Sequence, residues 1–155
     1  MSYYTNNRQV IKSLKLNTGT ESTPVYTDLC CASERTLNLS LDSQDFSVFC
    51  DALKRHVTTG ADVNIATTLK LDADNAAMIA LLGNVHDLIA NGTIAQFNNL
   101  MIQFELLSGY SSSALTYTTY NALANLTIES IGGAAEDVTE VSATFTLNGT
   151  ATAAV

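Results

Sequence analysis

Tryptophan is absent from the 155 residues, proline occurs once, and no basic residue follows Lys70. Each absence excludes something. A sugar-binding surface built on stacked indoles has nothing to build with. All seven Lys and Arg lie in residues 1–70, where seven Asp and Glu balance them, while residues 71–155 carry eight acids and no base. The formal net charge of −8 therefore belongs entirely to the second half. A groove that grips phosphates needs Lys and Arg to displace counterions, so the second half is not an adhesive nucleic-acid surface. The longest unbroken apolar stretch, Ala76–Leu82, has seven residues, against the roughly twenty that a membrane-spanning helix needs. Met1–Asn17 has no apolar run of signal-peptide length either. There are three cysteines, two of them adjacent (Cys30, Cys31). That odd count implies no disulfide framework and fits a reducing site of synthesis.

What is present points to a folded chain. Apolar residues make up 46%, charged residues 14%, and mean hydropathy is +0.15, which excludes disorder as the main state. A chain of this length buries roughly 70% of its unfolded surface. The expectation is one domain over residues 1–155, with a flexible N-terminal arm at residues 1–9 and a short C-terminal tail at 151–155. Strand-type alternation runs through most of it. Leu37, Leu39 and Leu41 alternate with Thr36, Asn38 and Ser40. Val63, Ile65, Thr67, Leu69 and Leu71 form one face of the next such segment. Leu100, Ile102, Phe104 and Leu106 form another, and Leu126 and Ile128 a shorter one. Val141, Ala143, Phe145 and Leu147 close the series. This pattern predicts a mainly β fold, an antiparallel β-sandwich or barrel with one or two flanking helices.

Two segments break the period. In Ser43–Val57 the apolar residues Phe46, Phe49, Cys50, Leu53 and Val57 take the spacing of one helical face, with Asp42 or Ser43 as the cap and Gly60 beyond the end. In Asn75–Asn91 the stripe is Met78, Leu81, Leu82, Val85, Leu88 and Ile89. Asp72 or Asp74 is its expected cap, Gly92 its stop, and Gly83 inside costs about 1 kcal/mol relative to Ala. Between elements, Asn17–Pro24 reads as a polar turn, Gly109–Tyr120 as a Ser/Thr/Tyr loop, and Ile131–Asp137 as a hairpin connection.

A search for chemistry returns nothing. Gly109-Tyr110-Ser111-Ser112-Ser113 lacks the closing glycine of a nucleophile elbow, and no phosphate-binding glycine motif exists. Asp72-Ala73-Asp74-Asn75 opens like a calcium loop, but Ala77 and Gly83 stand where the turn glycine and the bidentate acid belong. Cys30, Cys31, Cys50, His56 and His86 do not have zinc-site spacing. His86 and Asp87 are adjacent helical residues that do not face each other. No enzyme, cofactor or metal site is expected. Tyr110, Tyr117 and Tyr120 share one segment and suit a protein–protein contact, where Tyr is enriched.

The order of features resembles the major tail (tail tube) protein of long-tailed bacteriophages. The likeness rests on TLNLSL, the stretch SQDFSVFCDALKRHV after it, and the closing LTIESI–GGAAED–VTEVSATFTLNGT. It covers about residues 14–150 in layout. The resemblance implies a structural virion protein without enzymatic activity, a β-sandwich or barrel assembled as hexameric rings that stack into a tube through which DNA leaves. Implied partners are the chain itself and other tail proteins (tape measure, terminator, distal tail), with DNA passing unbound and no membrane. The implied location is the virion tail, assembled in the host cytoplasm. In that frame Glu105, Glu129 and Glu140, on polar faces of late strands, are expected to line the bore. Tyr110, Tyr117 and Tyr120, with the N-terminal arm Met1–Asn7, are expected to join stacked rings. Two other readings fit the same pattern: the tube protein of a contractile secretion machine, and a monomeric β-sandwich binding module such as an adhesin or sugar-binding domain.

Overall fold

Segments of period 2 become strands because alternate side chains reach opposite faces of a sheet. A computed structural model describes residues 10–29, 32–46, 55–71, 74–110, 114–133 and 139–153. In chain order these hold β1 (Ile11–Asn17), β2 (Tyr26–Asp28), β3 (Ala32–Phe46), β4 (Arg55–Lys70) and α1 (Ala76–Asn91). A 3-10 turn (Ala95–Phe97) follows, then β5 (Leu100–Tyr110), β6 (Leu115–Gly132), β7 (Glu140–Leu147) and β8 (Thr152–Ala153). The strands form one antiparallel sheet in the order β2-β1-β5-β6-β7-β4-β3, with β8 also paired to β6.

The long strand β6 bends that sheet into two halves. Leu115–Ala124 pairs with β5, and Ala124–Gly132 pairs with β7. A strand that belongs to two half-sheets makes the corner of a sandwich, and fully buried Ala124 is the residue shared by both pairings. Both halves bury their inward residues in one core. Leu14, Leu16, Ile102 and Phe104 come from one half, and Ile65, Leu69, Val141 and Phe145 from the other. Ala77, Met78 and Leu81 of α1 join the same cluster. The sheet does not close into a barrel: β1 and β3 are bridged by a side chain, where Arg35 Nη1 donates to the Lys12 carbonyl at 3.2 Å.

The second expected helix forms, and the described ends of the first are strand. Over α1 the N-cap is Asn75, whose side-chain oxygen accepts the Met78 N–H at 3.0 Å, in place of the expected Asp72 or Asp74. Asn75 prevails because its amide also donates to the Asp28 carbonyl at 2.8 Å, which ties the cap to β2. Gly92 ends the helix at φ 68°, its N–H donating to the Leu88 carbonyl, as a left-handed cap does. Of the helix expected over Ser43–Val57, residues 43–46 and 55–57 are strand, and 47–54 lie outside the described residues. The pairs Gln44–Val57, Asp45–His56 and Phe46–Arg55 are in register. The deceptive feature is a change of face. Leu37, Leu39 and Leu41 share one side of β3, Phe46 takes the other, and the register shifts between Asp42 and Ser43.

Two linkers are also more ordered than expected. Gly109–Tyr120 is the two arms of a hairpin, with Leu107 opposite Tyr117 and Tyr110 opposite Leu115; residues 111–113 lie outside the described residues. In the tail at 151–155, Thr152 and Ala153 pair with Asn121 and Tyr120. Residues 1–9, the expected N-terminal arm, lie outside the described residues.

Phe145 is the largest fully buried side chain of the core. Phe145→Ala is expected to cost about 3–5 kcal/mol, read as a lower midpoint in urea unfolding. Asn75→Ala, which removes the helix cap, is expected to cost about 1 kcal/mol by the same measurement.

Candidate assembly and lining surfaces

The half-sheet β6-β7-β4-β3 turns Ile65, Leu69, Val141 and Phe145 inward, so alternation turns short polar residues outward. In register, Asn125, Thr146, Asn64 and Asn38 form one row across the four strands, and Thr127, Thr144, Ala66 and Thr36 the next. Asn38 Nδ2 donates to Asn64 Oδ1 at 3.0 Å. The small side chain of Ala66 leaves a shallow groove of about 130 Å³ whose rim includes Thr36, Thr68, Glu129, Ser142 and Thr144. This outward face is hydroxyl and amide. In its four-strand part the charges among the described side chains are Glu129 and, at its end, Glu140 opposite Lys70; Asp62 and Asp42 follow on the same side where β3 and β4 continue alone.

Glu129 is the extra residue where the β6–β7 register shifts between Ile128 and Ser130. A bulge re-aims a side chain, and here the Glu129 carboxylate accepts the Thr144 hydroxyl at 2.9 Å. Glu140 opens β7 on the same half-sheet, opposite Gly132. Glu105 is elsewhere. It is on β5, in the other half-sheet, opposite Thr119 of β6. Ten residues of β6 separate Thr119 from Glu129, roughly 33 Å of strand. Its carboxylate also lies 3.9 Å from Lys12 Nζ. The three acids expected on one surface are thus two together and one apart.

The tyrosines divide as well. Tyr117 and Tyr120 are an odd number of residues apart on one strand and take opposite faces. Tyr120 packs against the core, its ring 5.7 Å from that of Phe104. Tyr117 faces outward beneath Lys12, whose Nζ stands 5.3 Å from the ring centre. Tyr110 is the last residue of β5. Alternation could have separated Tyr117 from Tyr120, had the segment been read as strand.

A surface that the sequence reading missed is the distal part of β3–β4. Both strands run past the body as a two-stranded arm. Leu37 still packs against the core, but Leu39 and Leu41, next on the same face, are 65% and 66% exposed. Ala61 and Val63 stand opposite them. On the other face Phe46 and Val57 are exposed too, and across the arm His56 Nδ1 meets the Asp45 carboxylate. β3, the last described strand of the sheet order, contains no proline. Strand length was the available signal: 15 and 16 residues, against about five or six for an ordinary strand.

Among the described residues no group of three or more His, Cys, Asp or Glu side chains is placed to hold a metal ion. No helix among them is long and apolar enough to cross a membrane.

No protein family model matches the chain, and no curated protein matches it. Solved structures do. A chain of the tail of an empty gene transfer agent particle, refined with helical and C6 symmetry, superposes with a TM-score of 0.58 at 6% identity. The match covers 92% of this chain and 95% of that one. A chain of the virion of the native gene transfer agent particle gives 0.57 at 8% identity, over 94% and 96%. The chain has the fold of these tail and virion chains.

Leu39 and Leu41 are uncovered, so Leu39→Ser with Leu41→Ser is expected to change unfolding free energy by no more than about 0.5 kcal/mol. Ile65→Ala, on the same face inside the body, is expected to cost about 2–5 kcal/mol. Paired urea titrations of the two variants check this difference.

Proposed function

We propose that copies of this chain assemble into rings that stack as a hollow tube, the conduit of a phage-tail-type particle for double-stranded DNA. The β3–β4 arm carries the reading. A monomer does not gain by holding Leu39, Leu41, Phe46 and Val57 in water on two strands that leave the body, whereas an assembly covers them. The far edge of β3, where no described strand pairs with it, supports it, since such an edge accepts a strand from another chain and backbone hydrogen bonds supply the affinity. The likeness to the tail of a particle refined with C6 symmetry supports six copies per ring. The chain does no chemistry in this role.

In the tube the hydroxyl and amide face of β6-β7-β4-β3 lines the bore, with Glu129 and Glu140 as its acids. Such a face offers phosphates no cation to bind except Lys70, which Glu140 opposes in register. Glu105 is left out of the lining because it lies on the other half-sheet beside Lys12. Tyr110 and Tyr117, on the β5–β6 hairpin, are contacts between stacked rings, and Tyr120 is a core residue.

Negative-stain microscopy of the concentrated protein is expected to show rings or tubes. Particles that remain single at every concentration would sink the proposal. Assembled tubes at about 50 mM salt are expected not to retain duplex DNA in co-sedimentation. Tubes carrying Glu129→Lys and Glu140→Lys are expected to retain it and to release it as salt is raised to about 200 mM. Retention by the unaltered tubes would contradict the lining assignment.

A further inference from the structure

Glycine follows asparagine twice, each time in the same triplet: Asn91-Gly92-Thr93 and Asn148-Gly149-Thr150. Asparagine is a thermally labile side chain. A following glycine exposes it most, because without a Cβ the next backbone nitrogen is uncrowded and already lies beside the side-chain carbonyl carbon. Identical triplets give the two steps the same intrinsic chemistry, and only the fold tells them apart. Asn91 is the last residue of α1, and the Gly92 N–H donates to the Leu88 carbonyl at 2.9 Å in the left-handed cap. Closing a ring there breaks that bond and turns the last helical peptide out of line. Asn148 follows the end of β7, where its own N–H donates to the Leu123 carbonyl at 2.8 Å. There the ladder stops. Gly149, at φ 92°, donates its N–H to no acceptor among the described residues.

We infer that Asn148 is a self-modification site, converted by the folded chain itself to aspartate and isoaspartate while Asn91 is spared. The Gly149 nitrogen attacks Asn148 Cγ. A bond forms between those two atoms, the Cγ–Nδ2 bond breaks, and the Gly149 proton leaves with Nδ2 as ammonia. Water then opens the five-membered imide at either of its carbonyl carbons. Opening at Cγ gives aspartate with the main chain as before. Opening at the main-chain carbon routes the chain through Cγ and gives isoaspartate. No electrons change hands, and water is the only co-reactant.

One contact opposes the step: Asn148 Nδ2 donates to Asn99 Oδ1. Both residues are exposed, and no backbone pairing depends on that bond. Asn99 is held separately, by its own N–H, which donates to Asn125 Oδ1 at 3.0 Å. Conversion therefore puts a carboxylate at the end of a chain of neutral amides that leads to the polar row of Asn125, Thr146, Asn64 and Asn38. The iso product also adds a methylene to the main chain. Only Gly149 and Thr150 separate it from Ala151, which packs against the core, and from Thr152 and Ala153, which pair with β6. The short β8 is thus the element that loosens. The step itself is independent of assembly; in the proposed tube it adds charge of the same sign as Glu129 and Glu140.

Mass-spectrometric peptide maps follow both triplets in the intact protein, held folded in mildly alkaline buffer and, in parallel, unfolded in guanidinium. Acid is expected to form at position 148 at least tenfold faster than at 91 in the folded protein, and the two rates are expected to converge on unfolding. An isoaspartate-specific methyltransferase is expected to label position 148 of the aged folded protein and not position 91. Equal rates in the folded protein, a lead for Asn91, or no acid at 148 by the time the unfolded chain has converted fully would each overturn the inference. The readout is the mass of two peptides, so such a failure leaves the assembly reading untouched, and particles that stay single leave this one untouched.

Discussion

One strand hydrogen-bonds to different neighbours along its two halves, and the rest of the architecture follows from it. β6 spends its first half on β5 and its second on β7. Only by turning a corner near Ala124 can both pairings be kept while the apolar faces of the two half-sheets meet in one core. Ala122 and Ala124 fit this demand, because small inward side chains let the halves approach. Backbone groups left unpaired in the interior cost more than most side-chain changes, so the strand order resists change once β6 is committed. The bulge that follows, between Ile128 and Ser130, relieves the bend and sends Glu129 to the polar face.

Much of this was written in the sequence as alternation. The inward sets Ile65-Thr67-Leu69, Ile102-Phe104-Leu106 and Val141-Ala143-Phe145 are those that pattern alone selects, since a half-buried sheet admits no other reading of them. The helix at Ala76–Asn91 was legible from its stripe and from Gly92. The arm was not. Within a body, apolar residues keep to one face because one face is dry. Beyond it no such constraint holds, and Phe46 and Val57 fall into the stripe Phe46, Phe49, Cys50, Leu53 and Val57 that has the spacing of a helix. Local pattern also cannot say where a strand leaves the core: Leu37 and Leu39 are equivalent in sequence and differ only in what lies beneath them. Of the acids, alternation placed Glu105, Glu129 and Glu140 on outward faces, but which half-sheet each belonged to depended on the corner in β6.

The polar face is physically suited to a lining because of what its side chains do to water and ions. Ser, Thr and Asn hold a hydration layer without concentrating counterions. Two carboxylates, Glu129, which accepts the Thr144 hydroxyl, and Glu140, add a field of the same sign as a phosphate backbone. That field fades over about 8 Å at physiological salt, so in the proposed tube it would act on DNA that drifts toward the wall and scarcely on DNA at the axis. Within the four-strand part of the face the one basic residue among the described side chains is Lys70, opposite Glu140. Lys12 lies over the other half-sheet with Glu105 and Tyr117, and Arg35 reaches inward to the Lys12 carbonyl.

A domain built this way has a solubility problem that its composition does not solve locally. It carries an open strand edge, an arm with Leu39 and Leu41 in water, and a helix with Ile79 and Ile89 in water. Proline, one of the devices that usually blunts such an edge, is missing from β3. The net charge of −8 acts at longer range and disfavours random association. In the proposed assembly the surfaces that would make a monomer prone to aggregation are covered, and a contact repeated from copy to copy would make ordered growth cooperative.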